Sequence, residues 1–414
     1  MCFCLLGAQS AWSAMASPPE FPEGVVGPVI ATVNHEEVLL AVDSPFWEGL
    51  AFRRDDNLTA VTIPNGVTAT GAYAFFGCHM LSEVTLSADL TCISKYAFAE
   101  CRIATLDIPA TVTEIQEGAF HQCEHLTRLQ LPTQLCAIGL CAFRGCSALT
   151  DVDIAGSNTK IGIGAFSGCS RLKTVKLPRN MPSVPRFLFK SCSSLETLDL
   201  PASITSIGSE AFYMCTGLKL LDLPRGLTDV DDYAFRDCTG LTNIRIPCGV
   251  TEIQNHVFEG CSALETVELS RHTTVLGSHA FAKCVSLRHI NFPPGLHLIG
   301  NHALSNCHSL DTLKLPEQLT NIGPGAFYQC CNVKKVQFPD SLETIGIEAF
   351  YGCGKMTELR LPLCLQRLGP SAFAQCTNLT TVVMGEELRI HALKKGLRLF
   401  HGCGRSPPDL LKAA

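Results

Sequence analysis

A short motif recurs along this chain and limits what it can fold into. Residues 195–215 read LETLDLPASITSIGSEAFYMC, and residues 218–238 read LKLLDLPRGLTDVDDYAFRDC, so the second copy begins 23 residues after the first. Both copies place leucines, a proline, an Ala-Phe pair and a closing cysteine at the same positions. A fixed period of about 20–29 residues is typical of a solenoid, in which each coil packs only on its neighbours. The sequence therefore predicts a repeat solenoid.

The closing cysteine marks how far the repeat extends. Between the cysteines at 78 and 376, twelve of the thirteen steps span 23 residues and one spans 22. We predict fourteen repeats over residues 56–376, an N-terminal cap at 36–55 and a C-terminal cap repeat at 377–404. Residues 1–35 should be an N-terminal segment and linker, with a possible atypical signal peptide at 1–17, and residues 405–414 a tail. Fifteen of the 23 cysteines share the closing position: Cys78, Cys101, Cys123, Cys146, Cys169, Cys192, Cys215, Cys238, Cys261, Cys284, Cys307, Cys330, Cys353, Cys376 and Cys403.

Each repeat has local signals for two extended stretches and one turn. In residues 197–200 leucines alternate with polar residues, a period of two that indicates a strand with one buried side. Pro201 should end that strand, and a second stretch should run from Ile204 to Ile207. We expect Gly208 to permit a backbone reversal before a single turn that closes at Cys215. The predicted fold is a curved array with a parallel β-sheet on the concave face and short turns or 3-10 helices on the convex face.

These units resemble the BspA-like, or treponemal-class, leucine-rich repeat family. The pattern L-x-x-L-x-L-P-x-x-L-T-x-I-G-x-x-A-F-x-x-C is nearly intact in residues 195–215, 310–330 and 333–353, and the resemblance covers roughly residues 50–376. The resemblance implies a cell-surface protein that binds host proteins or other cells, with no catalytic residues shared across the family. It slightly favours the cell surface or secretion, and a cytoplasmic location is the alternative.

Composition excludes several classes of protein. The net charge of −6 argues against a nucleic-acid binder, which would need a basic excess. The sequence has no apolar run of the length that a membrane-spanning helix needs. One cysteine per coil favours a column of buried, reduced thiols over clustered disulfides. We expect a monomer without cofactors.

The outward positions of the first strand are the predicted binding face. The leading hypothesis is a non-catalytic solenoid that binds a protein partner there, in recognition or adhesion. An intracellular scaffold for protein assembly is one alternative, and a carbohydrate-active enzyme is a remoter one. A solvated face of mixed charge without a partner is also compatible with the pattern. The candidate residues are Arg128, Asp151, Asp153, Lys176, Asp199, Asp222, Arg245, Glu268, His289, Lys314, Lys335 and Arg360.

Two further groups could carry chemistry. His256, His279 and His302 share one repeat position, but successive coils should hold them too far apart for one metal ion, so no metal site is expected. Asp151 and Asp153 lie two residues apart, like a catalytic carboxylate pair, yet a shallow sheet cannot exclude water from them. We therefore expect no enzyme and no catalytic residues.

Overall fold

The computed structural model describes residues 27–33, 36–42, 52–154, 158–387, 390, 399–403 and 411–413. The segment considered as a signal peptide, residues 1–17, lies outside this set, as do residues 43–51 of the expected N-terminal cap. Within the described set, no helical segment has the length and apolar character needed to cross a bilayer. Contacts divide the chain into two compact units. Unit 1 extends to Met181 and includes Phe187–Leu195, and unit 2 comprises Pro182–Arg186 and Glu196–Ala414.

Unit 1 is a stack of coils with two rows of parallel strands. Neighbouring coils pair in register, so Val152 lies opposite Leu129 of one neighbour and Val175 of the other. The first row contains β3 (Leu58–Thr62), β4 (Glu83–Thr85), β6 (Thr105–Asp107), β8 (Arg128–Gln130), β10 (Asp151–Asp153) and β12 (Thr174–Lys176). The second row contains β5 (Cys92–Ile93), β7 (Glu114–Ile115), β9 (Ala137–Ile138) and β11 (Lys160–Ile161).

Unit 2 has the same two rows, again paired in parallel. Its first row contains β16 (Asn243–Arg245), β18 (Thr266–Glu268), β20 (His289–Ile290), β22 (Thr312–Lys314), β24 (Lys335–Gln337), β26 (Glu358–Arg360) and β28 (Thr381–Met384). Its second row contains β13 (Ser183–Val184), β14 (Ser206–Ile207), β15 (Asp229–Val230), β17 (Glu252–Ile253), β19 (Val275–Leu276), β21 (Leu298–Ile299), β23 (Asn321–Ile322), β25 (Thr344–Ile345) and β27 (Arg367–Leu368). The predicted solenoid of stacked coils, with almost no helix, is confirmed.

The turn segment of each coil, residues 208–215 in one copy, alternates between two kinds of hydrogen bond. Ala211 donates its N–H to Gly208, and Cys215 donates to Phe212, both within the coil. Between them, the N–H of Phe212 donates to Ala234 of the next coil at 2.8 Å. Because every second N–H leaves the coil, the successive i to i−3 bonds of a 3-10 helix cannot form, and the described turn segments contain none. The short turns were expected correctly.

Two residues in each turn segment have positive φ, and Gly208 is not one of them. Glu210 has a φ of 54° and Met214 a φ of 59°. The expectation that Gly208 permits the backbone reversal is therefore wrong. A Cβ at Gly208 would lie 2.8 Å from the backbone nitrogen of Arg186, so glycine lets two coils approach closely. The N–H of Gly208 points the other way from that of Phe212, because it donates to Val184 of the preceding coil at 2.9 Å.

The core of each unit contains a column of stacked phenylalanines. The Ala-Phe residues are fully buried, and neighbouring rings stack, for example Phe120 on Phe143 at 5.3 Å in unit 1 and Phe235 on Phe258 at 5.4 Å in unit 2. Leu304 replaces phenylalanine in one coil and is also buried. All fourteen closing cysteines from residue 78 to residue 376 are buried free thiols, as expected for small apolar side chains.

The two ends of the chain contain strands that the sequence did not predict. Residues 27–33, expected to be linker, form β1 (Gly27–Val33), which pairs antiparallel with β2 (Glu36–Val42) and with β3. At the other end, β29 (Leu411–Ala413) lies in the expected tail and pairs in parallel with β28. Both additions supply hydrogen-bonding partners to a strand at the edge of the first row.

Candidate functional site

The strand face, meaning the outward side chains of the first-row strands together with the equivalent positions Asp199 and Asp222, contains every candidate binding residue. All twelve are exposed, because residues alternate between the two sides of an extended segment and most of their leucine, valine and isoleucine neighbours are buried. In unit 1, Asp151 lies between Arg128 and Thr174, and Asp153 lies beside Lys176. In unit 2, Arg245 lies beside Glu268. The structure thus places the candidates of each unit at equivalent outward positions of its coils.

Several charges on the strand face neutralise each other from coil to coil. Lys176 Nζ lies 2.7 Å from Asp153 Oδ2. Arg245 Nε lies 3.4 Å from Glu268 Oε2. Arg360 pairs with Glu358 of its own strand at 2.7 Å. These side chains are all more than half exposed, so each pair adds at most about 1 kcal/mol to stability.

Other candidates have no ion partner in the described part of the chain. Among the candidates of unit 1, Arg128 is the cation without an ion partner, while its neighbour Asp151 accepts a hydrogen bond from the Thr174 hydroxyl. In unit 2 the unpaired acids come first along the sequence and the bases follow. The unpaired candidates there are Asp199, Asp222, His289, Lys314 and Lys335.

The carboxylate pair of Asp151 and Asp153 lies exposed on the strand face of unit 1. Hydrogen bonds from the hydroxyls of Thr174 and Thr150 lower the pKa of Asp151 below its ordinary value. A glycosidase needs one carboxyl group whose pKa is raised so that it can donate a proton. The surrounding hollow, of about 320 Å³, is bordered by exposed side chains of three neighbouring strands.

A second cluster lies on the turn segments of unit 2. The rings of His256 and His279 stack at 4.6 Å, and His279 and His302 stack at 5.0 Å. Nδ1 of His256 is 2.8 Å from Oε2 of Glu259, whose side chain is only 7% exposed. Lys283 Nζ also approaches Glu259, at 3.0 Å from Oε1. All three histidines are half-buried.

The charge balance of Glu259 explains why a carboxylate can be buried there. Burial acts to raise the pKa of Glu259, but hydrogen bonds from His256 and Lys283 and the charge of Arg236 outweigh it, so the pKa lies below its ordinary value. Sequence reasoning missed Glu259 because its repeat position holds unrelated residues elsewhere. A histidine followed three residues later by glutamate, within one turn, was the available signal.

Comparison with known proteins identifies the repeat. The sequence matches the BspA type leucine rich repeat region in six copies, over residues 49–172, 137–265 and 251–380. No curated protein sequence matches the chain. The structure is similar to a leucine-rich repeat protein from Bacteroides ovatus, with 24% identity, a TM-score of 0.66 and coverage of 96% of this chain and 94% of that one. It also resembles a leucine-rich repeat protein from Eubacterium ventriosum, with 18% identity, a TM-score of 0.46 and coverage of 85% and 84%.

Proposed function

Because this chain belongs to the BspA-type leucine-rich repeat family, we propose that it is a non-catalytic protein-binding solenoid. Its partner would bind the strand face, in recognition or adhesion. One observation carries the proposal, which is that all twelve candidate side chains are exposed on the strand face, several of them without an ion partner among the described residues. Such charges steer and orient a partner at no cost of breaking an existing ion pair.

The charges within unit 2 give the proposed partner a direction. Asp199 and Asp222 precede a segment in which Lys314 and Lys335 occupy neighbouring strands. A partner surface with the complementary order of charges would bind in one orientation, since the reverse orientation would bring like charges together. The acidic and basic positions therefore serve specificity as well as attraction.

A charge reversal tests the proposal. The chain serves as bait in a pull-down, and the affinity of the captured protein is measured for the wild type and for the Lys314→Glu/Lys335→Glu variant. Like charges across an interface oppose binding, so we expect the affinity to fall at least about tenfold. Lys355→Glu is the matched control, because Lys355 is exposed but lies outside the first-row strands. If the two variants lose the same affinity, or if neither loses any, the partner does not bind through the strand face.

A further inference from the structure

The turn segments of unit 2 contain a set of side chains whose chemistry differs from that of the strand face. We propose that His256, Glu259 and His279 bind a divalent transition-metal ion of the zinc class. From the histidines alone no metal site is expected, because one imidazole per coil is a poor set of ligands. Glu259 changes that expectation, since it adds a buried carboxylate beside two of the rings.

The three side chains offer ligand atoms at short range. One ligand atom from each residue lies within 4.8 Å of the other two. Nδ1 of His256 and Oε2 of Glu259 are already 2.8 Å apart. Ligands bound to one zinc ion at about 2.0–2.2 Å lie roughly 3.3–3.6 Å from each other. A movement of His279 by about 1 Å would therefore complete a three-ligand set that leaves a fourth position for water.

Metal binding requires the stacked rings to tilt. The planes of His256 and His279 differ by only 7°, and the lone pair of an imidazole nitrogen lies in the ring plane. Parallel rings therefore do not point at the same ion. The torsion that orients an imidazole is broad, and both rings are half-buried at the coil surface, so each can turn toward its neighbour.

The chemistry of the ligands selects the ion. Imidazole nitrogen with carboxylate oxygen suits zinc, copper and nickel, whereas magnesium and calcium prefer oxygen ligands alone. A histidine must be neutral to bind a metal. Burial, together with the neighbouring charges of His256 and His302, lowers the pKa of His279.

Two cationic side chains near Glu259 could compete with a metal ion for its carboxylate. The Lys283 side chain is 60% exposed, so it can leave Oε1 of Glu259 and enter water. Arg236 is held against the rings of Tyr213 and Tyr233, at 5.9 and 5.6 Å, with its Nε 3.3 Å from the carboxylate. It can stay in place, where its positive charge continues to attract the carboxylate. Lys283 is therefore the direct competitor of the metal.

The test is a zinc titration of the full, tag-free, reduced chain at neutral pH, in which calorimetry measures the binding. Exposed thiols such as Cys136, Cys248 and Cys364 can also bind zinc, so the His256→Ala/His279→Ala variant supplies the background. We expect one additional ion per chain above this background. His279→Ala alone should lower the affinity for that ion at least about tenfold, as expected for the loss of a ligand.

Lys283→Ala separates this site from general binding by histidines, because removal of the competing ammonium should tighten zinc binding severalfold. Its exposed side chain makes the variant a mild change for the fold. His297→Ala, an exposed histidine in another repeat position, should leave zinc affinity unchanged. Zinc binding by the wild type equal to the background would overturn the proposal, as would weaker zinc binding by Lys283→Ala. An affinity for magnesium equal to that for zinc would also overturn it.

Discussion

At the scale of single residues, the closing cysteine does more than fill space. Its thiol donates to the carbonyl of the phenylalanine one coil earlier, as between Cys261 and Phe235 at 3.2 Å in unit 2 and Cys146 and Phe120 at 3.2 Å in unit 1. The same carbonyl also accepts an N–H from its own coil, as Phe235 does from Cys238. The cysteine position therefore needs a small side chain with a weak donor, which cysteine provides.

This contact determines how substitutions at Cys261 should rank. A buried serine is costly unless its hydroxyl has a hydrogen-bond partner, and at this position the Phe235 carbonyl can accept that bond. We therefore expect Cys261→Ser to cost less than Cys261→Ala, which should lose about 1–2 kcal/mol through a small cavity and a lost hydrogen bond. Denaturant unfolding under reducing conditions measures both. As a control, substitution of the exposed Cys248 by serine should leave stability unchanged. If Cys261→Ser is less stable than Cys261→Ala, the side chain at residue 261 contributes apolar packing alone.

At the scale of the coil, the turn segment depends on two left-handed residues. Glycine fills the second of these positions in several coils, including Gly168 with a φ of 77°. Elsewhere the position holds larger residues such as Met214, which accept the strain of the left-handed region. Hydrogen bonds to the next coil hold these residues in place, as between Met214 N–H and the Arg236 carbonyl at 2.9 Å.

A pair of glycine substitutions separates backbone strain from steric conflict. A Cβ on Gly168 would meet its nearest neighbour, Gly145, at an ordinary 3.5 Å, so the cost of Gly168→Ala should come from φ alone. We expect a loss of about 1–2 kcal/mol. Gly295, which has open space and no positive φ, is the control, and Gly295→Ala should be neutral or stabilising. Thermal unfolding compares the two variants, and equal midpoints would contradict a strained turn.

At the scale of the whole molecule, the buried thiols connect stability to pH. Burial raises the pKa of Cys123 and Cys169 in unit 1, and of Cys330 in unit 2, from the ordinary value of 9.0 to about 12. A thiol whose folded pKa is raised stabilises the fold fully below the unfolded value. That contribution falls as pH rises from about 9.0 toward 12.

Alkaline unfolding tests this connection. We expect the melting temperature of the reduced protein to stay nearly level up to about pH 8.5 and then to fall, because unfolding releases many protons from thiols at once. Ultraviolet absorbance of thiolate from the buried cysteines should rise together with the loss of structure. A melting temperature that stays level through pH 10.5, or thiolate formation by the buried cysteines before unfolding, would contradict it.

The sequence predicted the repeating parts of this molecule better than the singular ones. The positions of Phe235 and Cys261 recur in coil after coil, so their burial could be inferred from the period alone. The left-handed conformation of Glu210 was hidden, because that position accepts tyrosine, histidine and glutamate, and inter-coil hydrogen bonds rather than residue type enforce it. The contact of Glu259 with His256 was hidden because it occurs in one coil only.

The opposed directions of the inter-coil hydrogen bonds have a consequence for the electric field of each unit. On the turn side, N–H groups such as that of Phe212 point toward the following coil, while at Gly208 they point toward the preceding one. Peptide dipoles on the two sides of a coil therefore oppose each other, unlike those of an α-helix, which add up to partial charges at its ends. Adding or removing a coil therefore adds less backbone charge at the ends of the stack than lengthening an α-helix does at its ends.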